Sequence, residues 1–377
     1  MDRQNSFTFL RLFFALAVVF SHSFPLGGFG EDPLSKATGG QAQIGVLAVL
    51  GFFVISGWLI TASAQRTPIW RFGLNRAARI LPGFTVMHLL TVFALAPAVM
   101  LWNHADILDY WDSLVVGPDS AVSYLAANAQ FRVTQYTITD LFRRNPSGPV
   151  INGSLWSLAP EVMCYVWLAV LAFARGLRWK FTGALLFASV FVLHAVGLRN
   201  PEALYPLARV LENTNTYGIH LPLFRSAYLA FLAGMMCYQL RDALRWRGWL
   251  AGLAMGLLVA ACFAKCFALV WPFALPYIVL YLAYRLPFHR VEKWGDFSYG
   301  IYIYAYPLQQ LLAAAGVQRL GFIVYFAASV ALAVLAGMAS WRWVESPVLR
   351  WARSVGKKSA QPELRPIVTA GKSAVVA

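Results

Sequence analysis

The chain has 377 residues, of which 59% are hydrophobic and only 12% charged, about half the charged share of a soluble domain. Its net charge is +15, but the basic residues gather in short loops between apolar runs and in the tail. That distribution is the positive-inside pattern of a membrane protein and excludes a nucleic-acid-binding stripe.

Apolar runs long enough to cross a bilayer predict about ten spans, near 7–24, 43–64, 80–102, 156–174, 180–198, 222–240, 248–266, 268–286, 296–315 and 321–344. With the N-terminus in the cytoplasm, the short connections on that side hold Arg66, Arg71, Arg175, Arg178, Lys180, Arg241, Arg245, Arg247, Arg285, Arg290 and Lys293 against few acids. The opposite side is mixed, with Glu31, Asp32, Asp119 and Asp140 among its acids. The expectation is an all-α integral membrane protein of about ten transmembrane helices with both termini cytoplasmic. The start, Met-Asp-Arg-Gln, has the charge of a signal peptide, but no small-residue cleavage site follows the apolar core. The first segment is therefore expected to stay as an anchor. Cys164, Cys237, Cys262 and Cys266 all lie in apolar runs. Cys262 and Cys266 fall at one-turn spacing on a single predicted helix face, yet no histidine or carboxylate joins them as a metal ligand, so all four read as packing residues.

In the first span, Arg11 and His22 stand eleven positions apart, which is about three helical turns and about 16 Å on one face. Ionisable groups inside a membrane helix are costly and face a bundle interior where a function retains them. The glycine-rich loop 25–42 follows. Between the second and third spans, Pro68 suits a helix start and Pro82 predicts a break before the next span. Arg76 and Arg79 share a face there. They read either as headgroup anchors or as a clamp for an anionic cytosolic ligand, because guanidinium forks match phosphate.

Residues 103–155 form a long outer excursion, read as a lid or acceptor platform. Its Asp106, Asp109 and Asp112 are an exposed helix face in preference to a metal site, since no other ligand types converge on them. Asn152-Gly-Ser-Leu-Trp-Ser-Leu-Ala-Pro-Glu161 enters the fourth span, where Glu161 is expected at the depth of His22. A carboxylate beside an imidazole is the arrangement of general-base catalysis, and a structural hydrogen bond is the alternative. In the ninth span, Asp296-Phe-Ser-Tyr-Gly-Ile-Tyr-Ile-Tyr-Ala-Tyr-Pro307 places Ser298 and Tyr302 on one face, a candidate cavity lining. His88, His104, His194, His220 and His289 read as interfacial or core residues. The tail after about Arg353, residues 354–377, is polar, lacks periodicity and is expected to be disordered. No internal repeat is visible.

Together these stretches resemble the acyltransferase 3 family of bacterial integral-membrane acyltransferases. The resemblance rests on Arg11 with ten residues before His22, Gly51-Phe-Phe-Val-Ile-Ser-Gly-Trp58, Arg76-x-x-Arg79, Gly153-Ser-Leu-Trp-Ser-Leu-Ala-Pro-Glu161, Ser298-Tyr-Gly-Ile-Tyr302, and Trp343-Val-Glu-Ser-Pro347. It spans residues 1–353 as one domain. The resemblance implies transfer of an acyl group, commonly acetyl from acetyl-CoA, to a hydroxyl of an extracytoplasmic glycan such as lipopolysaccharide O-antigen or exopolysaccharide, in the bacterial inner membrane. It implies His22 as catalytic base with Arg11 as its motif partner and Glu161 as motif acid, and Arg76 and Arg79 as acyl-CoA contacts, to which Arg11 is added as a further candidate. Ser154, Trp156, Ser157, Ser298 and Tyr302 are the candidate substrate or oxyanion residues, and no metal is implied. Where relatives often carry histidine in the ninth span this chain has Ala305, so any such role would pass to Tyr304 or Tyr306. The competing class is a proton-coupled carrier of a glycan or lipid-linked sugar, with Arg11, His22 and Glu161 as the relay.

Overall fold

The computed structural model describes residues 5–102, 115, 119–129, 131, 133–139, 141–204 and 221–358, and every regular element among them is helical. The bundle begins with α1 (Phe7–Gly27), the short α2 (Pro33–Thr38), α3 (Ile44–Arg66) and α4 (Ile69–Leu90), which passes through a π turn at Thr91–Leu95 into α5 (Ala96–Trp102). The outer excursion contributes α6 (Ala121–Asn128), and a 3-10 turn at Gly153–Ser157 leads into α7 (Leu158–Phe173). Then come α8 (Thr182–Arg199), α9 (Leu221–Gln239), α10 (Gly248–Phe263), α11 (Phe267–Arg285), α12 (Ser298–Ala314) and α13 (Phe322–Ser340). A second π turn, Trp341–Glu345, continues α13 into α14 (Ser346–Lys358).

Among the described residues seven helical segments are long and apolar enough to cross a membrane: Phe7–Gly27, Ile44–Arg66, Ile69–Trp102, Gly153–Phe173, Thr182–Arg199, Phe267–Arg285 and Phe322–Val355. The chain is a multi-pass helical membrane protein. Each of the ten apolar runs read from the sequence coincides with a helix, although α10 and α12 are shorter, at 16 and 17 residues.

Four boundaries differ from expectation. The first span runs through Pro25 to Gly27 and is ended by Gly28 at φ 75°, whose N–H caps the carbonyls of Phe24 and Pro25. Pro82 does not break the third span: the helix is continuous from Ile69 to Leu90. A bundled membrane helix can keep a proline because neighbouring helices support it; α12 packs on this stretch, its Tyr299 hydroxyl donating to the Ile80 carbonyl at 3.0 Å. Cys262 and Cys266 do not share a helix face, because α10 ends at Phe263 and Lys265 turns the chain with a left-handed φ of 55°. At the other end, α14 continues the helix past Arg353 to Lys358. Residues 359–377, Asp106, Asp109, Asp112, Asp140, His104 and His220 lie outside the described residues.

Small residues set the closest helix pairs. A Cβ on Gly57 would lie 2.0 Å from the Phe231 carbonyl oxygen, and one on Gly234 would lie 2.1 Å from that of Val54. α3 and α9 therefore meet backbone to backbone, as membrane helices do where no side chain intervenes.

Side-chain ties gather the basic connections at one end of the bundle. Ser6 donates to the Leu286 carbonyl at 2.7 Å, Gln65 to Leu177 at 3.0 Å, and Arg285 to Trp246 at 3.1 Å. The first described residues and the π turn before α14 both sit at this end, beside the start of α12.

Candidate active site

A cavity of about 270 Å³ lies inside the bundle toward the basic end. α1 contributes Arg11; α3, Phe52 and Ser56; α4, Arg76 and Arg79. Ser157, Glu161 and Tyr165 come from the 3-10 turn and α7, Asp296 from just before α12, Ser298, Tyr299 and Tyr302 from its start, and Arg353 from α14. The motif residues scattered over most of the chain thus converge.

The charges sort into two groups. Arg11 pairs with Asp296 at 2.7 Å, and Arg79 lies 2.9 Å from the same carboxylate oxygen as an ion-pair contact. Arg79 Nη1 also donates to the Asp296 carbonyl at 3.1 Å and to Glu345 at 3.2 Å. Ser298 and Ser340 donate to the remaining oxygens of Asp296 and Glu345, at 2.5 and 2.9 Å. Two guanidiniums and two carboxylates therefore form one neutral network, and Arg79 is further enclosed by the rings of Tyr299 and Trp341 at 5.8 and 5.5 Å. A buried charge is tolerated when it is paired and hydrogen-bonded in this way. The π turn at Trp341–Glu345 delivers Glu345 inward, fully buried, in keeping with the use of π bulges at functional sites. Arg76 stands apart. Its guanidinium lies 5.8 Å from the Tyr165 ring, its buried Nε has no hydrogen-bond partner, and no carboxylate pairs with it among the described residues. Of the three arginines expected to bind the donor, Arg76 is the unpaired one.

The Ser157 and Tyr302 hydroxyls meet at 2.7 Å at the far wall of the cavity. Tyr302 spends its proton on the Ser154 carbonyl at 2.7 Å, so Ser157 is the donor to Tyr302. Both hydroxyls are committed. The Ser154 hydroxyl is buried without a partner. One turn beyond Tyr302 on α12, the Tyr306 ring lies 5.3 Å from the His22 imidazole. Tyr306 also presses on Gly153, where a Cβ would come within 2.8 Å of the ring. His22 Nδ1 is buried and unpartnered.

The structure does not join His22 to Glu161. Glu161 accepts a hydrogen bond from the Tyr165 hydroxyl inside the cavity, while His22 sits with Tyr306. The expected match in depth fails because the helical run starts at Gly153, three residues before the expected span, so Glu161 lies roughly 14 Å along the axis from its start. Trp156 is turned away as well, lying nearly parallel to Phe224 with ring centres 6.4 Å apart. Ala305 is packed with Ala15, Val19, Ile301 and Ala333, and its neighbour Tyr306 is the residue that reaches His22.

Sequence reasoning missed Asp32. Its carboxylate accepts from Ser21 at 2.5 Å, from the N–H groups of Leu34 and Ser35 at the start of α2, and from Ile44 N at the start of α3. It fastens the glycine-rich loop to the turn of α1 that carries His22. The Asp-Pro pair at a helix start was the available signal. Elsewhere, His194 donates to the Ala268 carbonyl at 2.9 Å and accepts from Arg225 at 3.1 Å, and His88 is a core residue bonded to Phe84. Among the described residues no group of three His, Cys, Asp or Glu side chains is placed to hold a metal ion.

The fold and site define a multi-pass membrane protein with a cation-lined internal cavity and an unpartnered imidazole beyond its far wall. Residues 4–342 match the acyltransferase domain family, acyltransferase 3, and the chain belongs to that family as a membrane acyltransferase. Among curated proteins it is similar to an O-acetyl transferase of Shigella phage Sf6, 26% identical over 93% of this chain and 97% of that protein. It is also similar to nodulation protein 10 of Rhizobium leguminosarum bv. viciae, 28% identical over 93% of this chain and 95% of the relative. No solved structure matches the chain.

Proposed function

We propose that this protein is an O-acetyltransferase of the bacterial inner membrane, with ten spans and both termini cytoplasmic, that moves acetyl from cytosolic acetyl-CoA to a hydroxyl of an extracytoplasmic glycan. The observation that carries the reading is the order of groups across the bundle. Arg76 is an unpaired guanidinium in the cavity at the basic end, the Ser157–Tyr302 pair closes the far wall, and His22 and Ser154, each with an unpartnered polar atom, lie beyond it. The O-acetyl transferase among the relatives favours acetyl as the group and oxygen as the acceptor.

In this reading the donor's phosphates meet Arg76, the pantetheine arm threads the cavity to the Ser157–Tyr302 pair, and parting of that pair admits the thioester to His22. The sugar oxygen attacks the thioester carbonyl, His22 takes its proton, and the C–S bond breaks as the C–O bond forms. The proton then passes to the departing thiolate. Ser154 is the free hydroxyl able to donate to the developing oxyanion, and Tyr306 holds the imidazole plane. Arg11 and Arg79 act through Asp296 and Glu345 to fix the helices that wall the cavity. Base catalysis contributes about 10²–10⁴ in rate and one oxyanion donor about 10²–10³. The test is transfer of label from radiolabelled acetyl-CoA to added glycan by purified protein in detergent. Release of CoA coupled to glycan labelling supports the reading; an enzyme that neither binds nor turns over acetyl-CoA overturns it.

A further inference from the structure

Four arginines line the cavity, and two of them, Arg11 and Arg79, are neutralised by Asp296 and Glu345. The other two are Arg76 on α4 and Arg353 on α14, and neither has an ion-pair partner among the described residues. We propose that Arg353 is the second phosphate contact for the nucleotide end of coenzyme A, acting across the cavity mouth from Arg76; this rests on the donor reading above.

α14 packs against α4 with Ala352 fully buried, and Leu349, one turn before Arg353, lines the same cavity. That face of α14 is therefore a wall of the site. Arg350 points elsewhere: it is exposed and bonded to the Ser346 hydroxyl at 3.0 Å on its own helix. Position, and not general basicity of the segment, singles out Arg353. Coenzyme A carries a diphosphate and a separate ribose phosphate, more anionic charge than one guanidinium can satisfy. Two forks from different helices match phosphate groups bidentately where a single point charge would not. The exposed Arg353 side chain also explains why the contact is absent from the neutral network: it faces the mouth, where the charged end of a long donor remains while its thioester goes inward.

The experiment compares full-length wild type, Arg353→Gln, Arg353→Lys and Arg350→Gln in detergent, measuring CoA binding by calorimetry and turnover with acetyl-CoA and with S-acetylpantetheine, which has no phosphate. Melting temperatures check that each variant is folded. Arg353→Gln should weaken CoA binding and raise the acetyl-CoA KM about tenfold, with kcat unchanged at saturation. Turnover of S-acetylpantetheine should be unaffected, Arg353→Lys should recover part of the affinity, and Arg350→Gln should match wild type. Equal CoA affinity in wild type and Arg353→Gln overturns this proposal while leaving the donor reading intact. An equal loss in Arg350→Gln overturns it too, since the effect would then be general charge. Wild type that binds no CoA overturns the donor reading, and the proposal with it.

Discussion

Arg79 and Glu345, 266 positions apart in the sequence, meet at 3.2 Å, with Glu345 fully buried. The contact ties α4 to the π turn at the end of α13, and through Asp296 it extends to Arg11 on α1. The motif arginine at position 79 is thereby a keystone of helix packing. Glu345→Gln removes one charge from a buried, otherwise neutral network and leaves Arg79 undercompensated. Breaking such a pair costs about 3–5 kcal/mol. A clear drop in melting temperature in detergent is expected, larger than that of Arg350→Gln.

The two motif arginines should separate in kinetics. Arg76→Gln removes an unpaired cation, so it should raise the donor KM about tenfold, with kcat and the melting temperature near wild type. Arg79→Gln should lower the melting temperature and the yield of folded protein, as loss of a shared partner of two carboxylates requires. Parallel melting curves and donor titrations of the two variants decide the matter. Equal stability and an equal KM defect would contradict the division of labour.

Ser154 and Ser157 provide a matched pair of hydroxyls. Ser157 donates to Tyr302, so Ser157→Ala should cost about 1 kcal/mol of stability. Ser154 Oγ has no partner to lose, so Ser154→Ala should melt like wild type while kcat falls about 10²-fold, as for loss of one oxyanion donor. Steady-state kinetics at saturating donor and acceptor check this.

The glycine crossing of α3 and α9 should tolerate no side chain. Gly234→Leu places carbon where the Val54 carbonyl already lies, and overpacking of a close contact costs typically about 1–3 kcal/mol or more. Reduced folded yield by size exclusion is expected. Gly73→Ala is the contrast: a Cβ there meets nothing within 4 Å, and alanine is the better helix former by about 1 kcal/mol.

Much of the architecture was legible in the chain because apolar runs of bilayer length leave few options, and all ten runs are helices. The arginine motifs and the cavity-lining face of Ser298 and Tyr302 were also readable, since each is local. The pairings were not. Nothing in the spacing of Arg79, Asp296 and Glu345 says that three distant segments meet. The depth of Glu161 was not legible because the helical run starts in the polar stretch at Gly153, where no apolar residue marks a beginning. Asp32 was counted as a loop acid although its four hydrogen-bonding partners make it structural.

The most direct test of the central claim is labelled acetyl transfer from acetyl-CoA to glycan by wild type and His22→Ala, each shown to be folded by its melting temperature. The account predicts that His22→Ala binds CoA as wild type does and transfers acetyl at least about 10²-fold more slowly. A folded His22→Ala variant that transfers acetyl at the wild-type rate would contradict it.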